Sequence, residues 1–359
     1  MRRLFQLESD RAMTTDSGLP NRVHFVGSIG LDTVQEVFQA VGPRFGARLR
    51  RIPDGEPGGR RGWIHWQYAV LRNNPFLRGD PDTPPTPLGA PHIGLVPDVD
   101  PKEVHFGELN YAREARASYL DFCAARERGA IPPGVRLQVC LPTPMAVVYV
   151  FCSPKDLDAI EPAYEAAMVR EIQAICAAIP HEDLCIQWDV CTEMIIVDGQ
   201  MPGRFKHRAS KADILERFGR LAAAVPPDVE LGFHLCYGDM DAKHMVQPKD
   251  ASKLVELAND IFRTVERPVT YIHFPVPIDR ADDAYFKPLA DLKLPAGTEL
   301  YLGVVHAQDG IEGTRRRIAA AQRYVKDFGV ASECGIARSR NVGLVNRFLD
   351  VYEGVTRLP

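Results

Sequence analysis

No apolar run in the chain approaches the roughly 20 residues that a helix needs to cross a bilayer, so no membrane span is expected. Charge of one sign is also missing: 43 basic against 47 acidic side chains leave a formal net charge of -4. That balance gives no electrostatic basis for binding nucleic acid or an acidic membrane surface. No Gly-x-Gly-x-x-Gly follows the first apolar stretch, so a doubly wound dinucleotide-binding sheet lacks its fingerprint. The segment Met1 to Asp10 carries Arg2 and Arg3 but no apolar core, and does not read as a secretory signal. Residues 1–20 are expected to form a flexible extension, with Met13 an alternative start. Without an export signal, the eight cysteines point to free thiols in a reducing cytoplasm rather than to a disulfide framework.

What is present suits a globular enzyme. The 359 residues are 45% hydrophobic and 25% charged, enough for a sizeable core. Short β-rich runs occur at 22–28, 49–52, 135–140, 184–189, 229–233, 269–273, 299–305 and 330–334. Helical spacing fills most of the gaps, at 31–41, 111–125, 163–178, 211–224, 251–265 and 313–328. In the first of these, Val34, Val37, Phe38 and Val41 share one face. The segment 74–103 is rich in proline and aspartate and reads as a long loop walling a pocket. This alternation predicts an α/β fold, a (β/α)8 TIM barrel over residues 21–359 as a single catalytic domain. In such a barrel the chemistry sits where the strands end.

The strand ends are polar in this sequence. They carry Ser28, then Asp54-Gly55-Glu56, Asp189, His234 with Cys236, His273, His306 and Cys334. Singly, Ser28 reads as a helix cap and Asp54 as a turn residue; together they read as a site. Strand alternation puts His234 and Cys236 on one side. Nitrogen and sulfur together favour a borderline-soft cation such as Zn2+. Cys334, on the last strand, would be the third ligand, leaving one position for a substrate. The other six cysteines read as small buried hydrophobes. Trp63, Trp66 and Tyr68 follow the Glu56 turn and either stack on a flat substrate or pack a helix. Tyr237 is placed to contact substrate or to orient a ligand, while Glu193 and His244 are not counted as ligands.

These motifs resemble the catalytic barrel of cobalamin-independent methionine synthase, in the superfamily that also holds uroporphyrinogen decarboxylase and the epoxyalkane:coenzyme M transferases. Gly27-Ser28 is similar to the family's first-strand Gly-Ser, Asp54-Gly55-Glu56 to its Gly-Glu, and Ile186-Gln187-Trp188-Asp189 to its Ile-Gln-x-Asp. His234-Leu235-Cys236-Tyr237 resembles the metal-binding His-x-Cys-Tyr, and Glu333-Cys334-Gly335 the segment supplying the last thiolate. Gly303-Val304-Val305-His306 is similar to the motif of the proton-donating histidine.

The resemblance implies a zinc-dependent alkyl transferase, most simply a methyltransferase, that presents a thiol as a thiolate to an electrophilic carbon. It implies that His306 protonates the leaving group. Asp189 and Glu56 would hold an ammonium group and Ser28 a carboxylate. Arg338, with Arg60, Arg61 or Arg340, would serve a sulfonate instead. One departure stands out: the family's sixth-strand glutamate ligand is replaced here by the stretch holding His273. Either His273 is the fourth ligand or the metal has three protein ligands. The partners implied are a small-molecule thiol and an alkyl donor, with a folate or a methyl-carrier protein among the candidates. A metal-independent decarboxylase, a zinc lyase or hydrolase, and a non-catalytic metal-binding barrel are the other readings of the same fold.

Overall fold

In the computed structural model, which describes residues 18–86, 88–200, 209–240, 243–337 and 342–359, eight parallel strands curl into a barrel. They are β1 (Val23–His24), β2 (Arg51–Pro53), β3 (Arg136–Pro142), β4 (Leu184–Val190), β5 (Glu230–Leu235), β6 (Tyr271–Pro275), β7 (Glu299–Val305) and β8 (Gly329–Ser332). Hydrogen bonds link them in the order β1-β8-β7-β6-β5-β4-β3-β2. A parallel bridge from Val23 to Leu49, just ahead of β2, brings the two ends of the sheet together. The fold is therefore the (β/α)8 barrel that the alternation predicts.

Parallel neighbours require a crossover, and helices supply most of them. The principal ones are α1 (Val34–Phe45), α2 (Tyr111–Glu127), α3 (Leu157–Ala178), α4 (Lys211–Ala223), α5 (Ser252–Thr264), α6 (Gly310–Ala321) and α7 (Val342–Gly354). The first shows how sequence sets the element. Thr33 caps it by accepting from the Glu36 N–H at 3.1 Å, and Gly46, at φ 45°, ends it. Between them Val37, Phe38 and Val41 are sealed against the barrel, each burial contributing about 2 kcal/mol. Helix α4 opens on a reciprocal cap between Ser210 and Asp213. Among the described residues no helix is long and apolar enough to cross a membrane.

The inside of the barrel is polar along its axis. Gln187 Oε1 accepts from Tyr271 Oη at 2.8 Å and from Gln138 Nε2 at 3.2 Å, and lies 3.1 Å from His24 Nε2. At the N-terminal end Arg51 is buried, donating to Glu230 at 2.5 Å and to Glu299 at 2.7 Å. These pairs plug the end of the barrel opposite the strand tips.

Three segments differ from expectation. The segment 74–103 contains an antiparallel hairpin, Leu77–Asp80 with His92–Leu95. It is pinned by the Asp80 carboxylate, which accepts from Ser153 at 2.5 Å and Thr83 at 2.7 Å. Of that segment, Asn74 and Pro75 line a surface cleft of about 570 Å³, which His234, Cys236 and Cys334 do not line. The helix Pro144–Phe151 was not legible because it is apolar on all sides and buried, which leaves no period to detect. Helix α3 starts at Leu157, ahead of Pro162, where a proline suggests a boundary. Most of the expected extension, residues 1–17, lies outside the described residues.

Candidate metal centre

Main-chain pairing sets the site. In the ladder, Asp189 of β4 is opposite His234 of β5, and His234 is opposite His273 of β6. The three side chains thus share one rung near the strand ends. Gly232 makes room below them: a Cβ there would come within 2.1 Å of the buried Tyr271 ring. One residue past β5, the Cys236 N–H donates to the Val190 carbonyl at 2.8 Å, so the thiol is fixed beyond the strand end. Two glycines let the chain after β8 pass close. A Cβ on Gly303 would lie 2.7 Å from Glu333 Cα, and one on Gly335 would strike Ser28 Oγ at 2.1 Å. Ser28 is held there by its carbonyl, which accepts from the Ile336 N–H at 2.7 Å.

His234, Cys236 and Cys334 converge, their ligand atoms all within 4.8 Å of one another. Cys236 Sγ is 3.7 Å from Cys334 Sγ, which is 3.6 Å from His234 Nε2. Tetrahedral zinc with Zn–S near 2.3 Å and Zn–N near 2.0 Å has S···S edges of about 3.8 Å and S···N edges of about 3.6 Å. The donors present therefore fit zinc in kind and in spacing. Hydrogen bonds from Cys191 and Cys334 hold Cys236 well below the usual thiol range. The same contact with Cys236, with burial, pushes Cys334 up.

Around the thiols, Asp189 receives Trp63 Nε1 on one oxygen at 3.2 Å and Gln187 Nε2 on the other at 2.8 Å. Burial raises its pKa to about 6, against the pull of His234. Trp63 has φ 56°, an uncommon backbone state for a large side chain, and packs on the patch formed by Cys191, Ile195 and Cys236. On its other side it lines a cavity of about 30 Å³ with Asp54, Glu56, Arg60 and Cys140. Negative charge on Asp189 and Glu56 adds to the burial that raises the Cys140 thiol.

His306, just past β7, is buried, and its Nε2 donates to the Val276 carbonyl at 2.8 Å. Its Nδ1 is 3.8 Å from Glu333, whose other oxygen is 3.0 Å from His244. Burial lowers the His306 pKa although Glu333 opposes the shift.

Several expected roles do not match these positions. His273 is not beside the thiols: its Nδ1 is 2.7 Å from Nδ1 of His234, on the far edge of that ring from Cys334. Tyr237 is fully buried, with its ring 6.2 Å from His244 and its hydroxyl unpartnered. Trp66 packs edge-on against Tyr111 and lines the same cavity as Trp63, whereas Tyr68 donates to the Pro91 carbonyl at 2.8 Å and is a packing residue. Arg60 is paired with Asp54 and Arg61 with Asp32, so neither is free for a sulfonate. Arg338 and Arg340 lie outside the described residues. Two residues that sequence reasoning passed over belong to the site: Cys191, which touches Cys236, and Glu333. Glu333 stands next to Cys334, and that adjacency was the available signal; Cys191, two residues past Asp189, gave none.

Fold and site together define a (β/α)8 barrel with an imidazole and two thiols gathered at the C-terminal ends of its strands. Neither a family model nor a curated protein matches the sequence. Among solved structures, the chain is similar to a Listeria monocytogenes protein named as a vitamin-B12-independent methionine synthase. The two share 13% identity with a TM-score of 0.57, over 94% of this chain and 97% of that one. Old Yellow Enzyme from Pichia sp. AKU4542 is more distant, at 13% identity and a TM-score of 0.36 over 67% of each chain. At this identity the Listeria protein shows the fold alone.

Proposed function

We propose that the chain is a zinc-dependent thiol alkyltransferase, with methyl the simplest group transferred. The observation that carries this reading is the gathering of His234, Cys236 and Cys334, in which the distances from Cys334 to the other two match the edges of a tetrahedral zinc site; a substrate would take the fourth position. Zinc held there would present an incoming thiol as its thiolate at neutral pH, and two cysteine ligands favour that role over Lewis-acid hydrolysis. The likeness to the Listeria barrel supports the fold on which this reading rests.

The surrounding residues have separable tasks. Asp189, oriented by Trp63 and Gln187, gives the thiols a carboxylate neighbour suited to the ammonium end of an amino thiol. Glu56 lines the small cavity that Trp63 also lines and would add negative charge to a substrate reaching into it. For the proton needed by the leaving group, His306 would have to take one on Nδ1, where Glu333 stabilises the imidazolium. The alkyl donor is a small electrophile or a methyl carrier.

The test is zinc content of the wild type and Cys236→Ser, followed by X-ray absorption with candidate thiols. One equivalent of zinc, lost in the variant, and a new sulfur neighbour on adding a single thiol are expected. A wild type that takes up no zinc, or zinc indifferent to every thiol, overturns the reading.

A further inference from the structure

The contact between His234 and His273 poses a question of proton counting. Their Nδ1 atoms are 2.7 Å apart, which is hydrogen-bond length. Two nitrogens so close hold one proton between them, since two N–H groups would collide and two lone pairs would repel. The rings are tilted by 44° with centroids 4.8 Å apart, and ladder pairing of β5 with β6 fixes that relation. Both rings are buried, so an extra proton would place an unpaired charge inside the barrel.

The atom of His234 that faces Cys334 is Nε2. For that nitrogen to offer a lone pair to a cation, the single proton of the neutral ring must be on Nδ1. From there it can go only to Nδ1 of His273. His273 then carries its own proton on Nε2, a buried atom with no hydrogen-bond partner. Resting on the zinc reading above, we propose that His273 is the positioning residue of the centre. It accepts the Nδ1 proton of His234, fixes that ring's tautomer and orientation, and is not a ligand. Carboxylates or backbone carbonyls usually fill this place; here a second imidazole does.

The test compares wild type, His273→Asn and His273→Leu. Asparagine keeps an acceptor oxygen near the Nδ1 position, whereas leucine keeps bulk and removes it. Zinc dissociation constants are measured by competition with a chromophoric chelator, and X-ray absorption counts imidazoles. The expected result is a loss of about 10- to 100-fold for leucine, with asparagine within about threefold of wild type and one imidazole in both wild type and asparagine variant. Leucine binding as tightly as wild type overturns the proposal. So does a second imidazole in the wild type that vanishes in His273→Asn, and this holds even where the leucine variant fails to fold. A wild type without zinc overturns the functional reading together with this one; zinc bound with two imidazoles overturns this one alone.

Discussion

Replacing Glu193 with glutamine is expected to stabilise the protein in alkaline buffer and to leave it unchanged in acid. Glu193 lies on the short helix Thr192–Asp198 that follows β4. It is 1% exposed, and its Oε2 has no hydrogen-bond partner. Burial pushes its pKa from 4.5 to about 7, with the hydrogen bond to Thr143 acting in the opposite direction. A carboxyl whose pKa rises on folding holds its proton more tightly in the folded state. Its contribution is whole below pH 4.5 and is lost as the pH climbs through about 7, beyond which the deficit is constant. That shift corresponds to about 3 kcal/mol. Glutamine resembles the protonated acid and never ionises, so the variant escapes the deficit. In a chain of this size the gain amounts to roughly 5 °C in Tm. Thermal unfolding of both proteins by circular dichroism, at pH 4.5, 6, 7 and 8.5 and constant ionic strength, measures it. A gap that is the same at every pH, or a variant less stable at pH 8.5, refutes the reasoning.

Three further outcomes are expected. Gly232→Ala should cost at least about 3 kcal/mol, because its methyl group would run into the Tyr271 ring, itself tied to Gln187; soluble yield and Tm report it. Arg51→Met should cost about 2 kcal/mol by stripping Glu230 and Glu299 of their buried partner and leaving them only Arg136 at 3.1 Å and Arg50 at 3.8 Å, measured by urea unfolding. Trp63→Phe takes away one N–H from Asp189, whose pKa of about 6 should then move upward. Turnover at pH 6 should drop roughly threefold while turnover at pH 8 changes little, and equal losses at both would count against an electrostatic role.

The legible part of the molecule was whatever depends on period and position. The barrel followed from alternation, and His234 with Cys236 from a period of two at a strand end. Cys334 followed from the same logic at β8, although it lies two residues past the strand. What failed to show depends on which edge of a side chain faces which neighbour. A strand pattern puts His273 on the inner face, but it does not say that its Nδ1 meets another imidazole. Nor does it say that the Trp63 backbone takes a positive φ, which only the packed chain around it enforces. Cys191 sits in an apolar stretch where a thiol and a methyl group look alike, and tertiary contact alone brings it to Cys236.

The rung that joins Asp189, His234 and His273 is held by hydrogen bonds of the main chain, shared with neighbours on both sides. Accuracy at the reactive end is therefore inherited from the ladder and owes little to the segments arching above it. Those arches, outside the stretch around Trp63 that packs on Cys236, are free to diverge in shape and polarity without disturbing His234. One scaffold of this kind can change its clientele by rewriting its rim alone.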